Sequence, residues 1–173
     1  MRMSSVEKIG RSIAAEPPFN FFKGVVEIAK LGPWSLENLE KIFFHTEKKV
    51  NGKWTHLLNE GSGNSLTVYQ NEFQHQLLIT LYAKKSESLS LYKIKSFLKC
   101  NYNLIHIYKP EYRVRFNFEY RKGAIKSICL DYYYENSNDC INFEDGRLKK
   151  GDRLIDEDEI TIDNIIIFVG MRE

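Results

Sequence analysis

The sequence predicts an α+β fold, with N-terminal helices followed by a mainly antiparallel β-sheet, in one domain over residues 1–173. Three observations carry this expectation. Apolar residues recur at helical spacing before residue 45, strict two-residue alternation marks Arg113–Arg121, and short turn signals punctuate the chain after residue 50. Residues 1–45 are therefore expected to be mainly helical and residues 46–173 mainly β.

The elements follow in order. Ser5–Ala15 places Val6, Ile9 and Ile13 on one stripe, and Pro17-Pro18 stops it. Phe19–Lys30 repeats the pattern with Phe22, Val25, Val26 and Ala29, although Gly24 weakens the helix, and Gly32-Pro33 ends it. Ser35 can cap a third helix through Leu36, Leu39 and Phe43, with Trp34 as a staple against Leu39. Asn51-Gly52 reads as a two-residue hairpin turn joining Thr46–Val50 to Lys53–Leu58. Gly61-Ser62-Gly63-Asn64 reads as a loop. Ser65–Tyr69 and Gln76–Ala83 read as strands.

Ser90–Lys99 reads as a helix capped by Ser90, with a strand as the alternative because Leu89 and Leu91 alternate with serines. Arg113–Arg121 is the clearest strand. Val114, Phe116, Phe118 and Tyr120 point to one face, while Arg113, Arg115, Asn117, Glu119 and Arg121 point to the other. One buried and one wet face argue for antiparallel pairing. Lys122-Gly123 turns the chain into Ala124–Tyr134, Asp145-Gly146 makes another turn, and Glu159–Ile162 with Ile165–Val169 close the domain. Ile165–Val169 is apolar enough for the middle of a sheet.

Charge is segregated. Every aspartate lies between Asp131 and Asp163, a stretch with eleven acids and four bases, net −7. Lys99–Lys126 carries seven bases and two acids, net +5. The overall +2 hides these blocks, and local fields rather than totals steer a protein to a charged partner.

Catalytic and cofactor signatures are missing from the sequence. A magnesium nuclease needs an Asp before a Glu-x-Lys, yet no Asp precedes Glu47-Lys48-Lys49 and no Glu-x-Lys follows Asp131. His45, His56, His75 and His106 are scattered, with no His-x-x-x-His spacing for zinc. A turn at Asn51-Gly52 places His56 opposite Glu47, away from His45. The three cysteines, Cys100, Cys129 and Cys140, are odd in number and lack Cys-x-x-Cys spacing, so reduced thiols are expected, with Cys100 and Cys129, in or beside apolar runs, read as buried and structural. No metal and no cofactor is expected. The N-terminal charges leave no signal-peptide core, and no apolar run approaches the ~20 residues of a membrane span. The sequence reads as that of a cytoplasmic protein without membrane contact.

The expected function is a non-catalytic module that binds another protein: a bacterial immunity protein or antitoxin occluding a basic toxin domain, such as a nuclease. Its contact face is expected from Glu144, Asp145, Asp152, Asp156, Glu157, Asp158, Glu159 and Asp163, with Tyr133 as an aromatic anchor. Tyr132, Tyr133 and Tyr134 are consecutive, so in a strand at least one must leave the core side. Two alternatives stand beside this. One is a hydrolase or ribonuclease using His45, His56 or His106. The other is a nucleic-acid binder using Arg113, Arg115 and Arg121, opposed by alternation that puts rings and cations on opposite faces.

Overall fold

The computed structural model describes residues 3–43, 48–50, 54–58, 64–82, 89–108 and 112–172, with the backbone alone for 48–50 and 54–58. Three helices come first: α1 (Met3–Ala14), α2 (Pro18–Lys30) and α3 (Leu36–Phe43). Pro18 opens α2, where its missing N–H costs nothing. Ser35 Oγ accepts the Asn38 N–H at 3.1 Å, so the expected cap of α3 is present. Gly24 does not interrupt α2, because a Cβ there would sit 2.7 Å from the Ile13 side chain of α1. The glycine that lowers helix propensity is what lets the two helices approach.

The strands β1 (Lys48–Val50), β2 (Trp54–Leu58), β3 (Ser65–Asn71), β4 (Gln76–Tyr82), β6 (Tyr102–Ile107), β7 (Arg113–Phe118), β8 (Ile125–Tyr133) and β13 (Asn164–Gly170) make one sheet. Its order is β1-β2-β3-β4-β13-β8-β7-β6, with every pairing antiparallel. The fold is α+β, as the sequence predicts. The C-terminal strand β13 inserts between β4 and β8, a central position suited to its Ile165–Val169 run. Burial alternates along β7: Val114, Phe116 and Phe118 are buried, while Arg113, Arg115 and Asn117 are only half-covered. The buried row continues through Leu130, Ile128, Ile165, Ile167, Ile79 and Val68 and meets Phe22, Val25, Ile42 and Phe43 from the helices in one core cluster.

Two local expectations need correction. β1 and β2 pair Val50 with Trp54 and Lys48 with His56, so three residues connect them, not two. His56 therefore stands opposite Lys48 rather than Glu47, because a one-residue register change moves every partner. Asn51-Gly52, Gly61-Ser62-Gly63, His45 and Glu47 lie outside the described residues. The turn into β8 is also displaced by one residue. Lys122 bridges Ile125, leaving Gly123-Ala124 as the loop, with Gly123 at φ +56°.

A smaller layer packs beside β6 and β7. Helix α4 (Leu91–Leu98) follows β5 (Leu89–Ser90), and Ser90 Oγ accepts the Lys93 N–H at 3.2 Å. The helix reading of this segment holds from Leu91, and the strand is confined to Leu89 and Ser90, which pair with β12 (Thr161–Ile162) before the helix begins. β9 (Ile141–Glu144), β10 (Arg147–Lys150) and β11 (Arg153–Leu154) form a three-stranded sheet. The β9–β10 hairpin turns at Asp145-Gly146, whose φ values of +52° and +74° are those of the expected two-residue turn. A 3-10 turn, Glu157–Glu159, carries the chain from β11 toward β12.

Candidate functional site: an acidic groove with an aromatic floor

A groove of about 1010 Å³ opens between α4, the start of β6, the β9–β10 hairpin and the 3-10 turn. Sequence dictates each wall. The Ser90 cap fixes the first turn of α4, and burial of Leu91, Ile94 and Leu98 turns Tyr92 and Lys95 toward the opening. Tyr102 begins β6 opposite Phe118 and forms the floor, its ring 6.0 Å from Phe143 and nearly parallel to it at 15°. Buried Leu148 and Ile155 hold the small sheet to the core, leaving Phe143 and Leu154 exposed along the rim. Asp156, Glu157 and Asp158 close the far side.

The groove lining holds two cationic side chains, Lys95 and Arg147, against three acids. Lys95 Nζ lies 2.8 Å from Glu157 Oε1 and 5.5 Å from the Tyr102 ring centroid. The Tyr102 phenol is pushed up, first by burial and then by the Glu157 carboxylate beside it. Glu157 Oε2 is buried without a hydrogen-bond partner among the described residues. Asp156 and Asp158 are exposed, and neither forms an ion pair among the described residues.

Glu159 behaves differently. Its Oε2 accepts the Asp156 N–H at 2.9 Å and its Oε1 meets Arg153 Nη1 at 3.0 Å. Both contacts favour the charged form, the backbone bond most, so its pKa lies below the ordinary glutamate value. A depressed folded-state pKa means that the stabilisation is present above the unfolded value and is lost as pH falls through the folded one. Carboxyl NMR titration should therefore give Glu159 a midpoint below that of unfolded glutamate, moved part of the way back by Arg153→Ala. A midpoint at the ordinary value would contradict the geometry.

The acids expected on the contact face divide into three groups. Asp156, Glu157 and Asp158 line the groove, with Glu159 beside them on the same turn. Glu144, Asp145 and Asp152 lie on the hairpin and turn of the small sheet, with Glu144 paired to Lys149. Asp163 and Tyr133 lie elsewhere, at the main sheet. Asp163 Oδ2 accepts the Tyr133 N–H at 2.9 Å, and Tyr133 Oη meets Asn164 Nδ2 at 2.6 Å and Arg113 Nη1 at 3.4 Å. Tyr133 leaves the core side, as three adjacent tyrosines require, while Tyr132 and Tyr134 pack on the core.

The basic strand is neutralised within the sheet. Asp131, only 1% exposed, receives Arg115 Nε at 2.8 Å and Arg115 Nη2 at 3.1 Å, with Arg113 Nε at 3.8 Å. Thus one member of the acidic block folds back onto Arg113 and Arg115. The described ion pairs of the other acids are instead with Lys95, Lys149, Lys150 and Arg153. Cys129, beside Asp131, is a structural thiol: burial pushes its pKa up to about 11, and Sγ donates to Asn117 Oδ1 at 3.3 Å. His106 stacks on Tyr108 at 6.1 Å, far along β6 from Tyr102. Among the described residues, no group of three or more His, Cys, Asp or Glu side chains could hold a metal ion.

The floor and rim were not anticipated. Tyr102, Phe143, Tyr92, Leu154 and Lys95 meet only through tertiary packing. The available signal was the run Tyr102–Tyr108, rich in aromatic and β-branched residues and bounded by Asn101 and Pro110.

No known family model matches the chain, and no curated protein or solved structure is similar to it. What fold and site define is therefore a class only: an α+β protein with a groove floored by aromatic rings and lined by Asp156, Glu157 and Asp158 against Lys95 and Arg147. No helix among the described residues is long and apolar enough to cross a membrane.

Proposed function

We propose that this protein is a non-catalytic binding module whose groove captures a basic segment of another protein. In its sharpest form it is an immunity protein or antitoxin of bacterial type, acting in the cytoplasm. It occupies the phosphate-binding surface of a toxin domain and blocks it. One observation carries the reading: Asp156 and Asp158, exposed and without cationic partners among the described residues, stand on the rim of an aromatic floor where Lys95 already binds as a cation. Acids on a fixed turn attract a basic partner and speed its encounter, while exposed Tyr92, Phe143 and Leu154 supply apolar contact. Rings with one polar handle are good interface anchors because they bury much area with few rotamers.

The test compares capture from native cell extract by the wild type and by the double variant Asp156→Lys/Asp158→Lys. The expected result is a basic partner held by the wild type, released by added salt and lost from the variant. Expressed alone, that partner is toxic. Rim charges act mainly on the on-rate, so the affinity loss should be about tenfold or more at low salt and shrink as salt rises. Equal capture by both proteins would remove the groove from the account. A harmless partner would remove the antitoxin form.

A further inference from the structure

The two ends of the main sheet are unlike. β1 forms one edge with only three residues, two of them lysines, Lys48 and Lys49. Short length and lysine are the usual defences of a sheet edge against pairing with another chain. β6 forms the other edge with six residues, and none of Tyr102–Tyr108 is Lys, Arg, Asp or Glu. Asn103 is exposed, Ile105 is 44% exposed and Tyr108, just past the strand, is 60% exposed. The described backbone partners of β6 all belong to β7, so one side of its ladder is open.

We infer that β6 pairs antiparallel with β6 of a second copy of this chain, joining two sheets about a two-fold axis at Ile105. The occupant follows from charge and symmetry. A strand without charged side chains has no like-charge cost on meeting itself. The lysine-bearing edge cannot readily accept β6, so head-to-tail growth is blocked and only the closed two-fold contact remains. Opposed residues in antiparallel strands must share a face, which restricts the register. Centring on Ile105 places Ile105 opposite itself, Leu104 opposite His106, Asn103 opposite Ile107 and Tyr102 opposite Tyr108. The whole run Tyr102–Tyr108 is then paired. Exposed Tyr108 of one copy meets Tyr102 of the other, a cross-strand aromatic pair at each end of the ladder.

Sedimentation velocity of the full chain over micromolar concentrations should show a shift from one chain to two. Ile105→Lys should stay at one chain while keeping the folded circular-dichroism spectrum of the wild type, and its melt should not depend on protein concentration. Ile105→Cys tests the register directly, because it should oxidise to a cross-linked dimer far faster than the parent, whose own thiols are partly or fully covered. Asn103→Cys should not, because it faces Ile107. Four results would each overturn the inference. These are a wild type that stays at one chain throughout, a dimer that survives Ile105→Lys, cross-linking by Asn103→Cys at the rate of Ile105→Cys, and assembly beyond two chains.

Discussion

Asp131→Ala is expected to cost about 3–5 kcal/mol of folding stability, a large part of the ~5–15 kcal/mol that holds a typical domain together. The cause is what the substitution leaves behind. β7 and β8 pair Arg115 directly with Asp131, and β13 places Asn164 on the other side. Arg113 and Arg115 each keep only 21% of their side-chain surface exposed, and both lean on this one carboxylate. A guanidinium cannot escape by giving up its proton, and the Arg115 pKa is raised further by the bond to Asp131. Asp131→Ala therefore strands two half-covered cations. Urea unfolding should show a lower midpoint, and Arg115→Met/Asp131→Leu should recover the share that comes from stranding Arg115, because an apolar pair of similar size avoids the desolvation of that ion pair, while Arg113 still lacks its 3.8 Å partner. A cost under about 1 kcal/mol for Asp131→Ala would mean that solvent already screens the cluster, as it does for exposed pairs.

That cluster also marks the limit of sequence reading. The alternation in Arg113–Phe118, the helix caps at Ser35 and Ser90 and the Asp145-Gly146 turn are local patterns, and each appears as expected. The apolar run of β13 implied a central strand, and it is central. β6 was not legible because both of its faces carry apolar residues: Tyr102 and Leu104 on one, Ile105 and Ile107 on the other. An edge strand packed on one side by a tyrosine and a leucine has no period to detect. The acidic block was visible as composition, but composition does not say which acid meets which base. Asp131 stands opposite Arg115 in the β7–β8 ladder, but the Lys122–Ile125 bridge at the turn is offset from that ladder by one residue, so the turn position alone does not give the pair. The groove was least legible of all. Its acids are contiguous in sequence, whereas its floor joins neighbouring α4 and β6 to β9, which lies more than thirty residues further along the chain.

Phe116→Ala should damage fold and groove together. Phe116 is fully buried on β7, between Leu104 of β6 and Leu130 of β8. Its ring centroid lies 5.1 Å from that of Tyr102, edge to face at 89°. Removing the ring leaves a cavity, and such truncations cost about 3–5 kcal/mol. The cavity opens directly behind the groove floor, so Tyr102 loses the contact that keeps it parallel to Phe143 and under Lys95. Ile79→Ala separates the two effects. Ile79 is equally buried, lies on β4 between Val68 and Ile167, and does not line the groove. It should cost about 2–5 kcal/mol as well. Measured at low temperature, where both variants remain folded by circular dichroism, Ile79→Ala should bind the basic partner as the wild type does, and Phe116→Ala should bind it about tenfold or more weakly, since the aromatic anchor is no longer held in place. Equal binding by both would mean that the floor does not depend on the core beneath it, and that recognition rests on Asp156 and Asp158 alone.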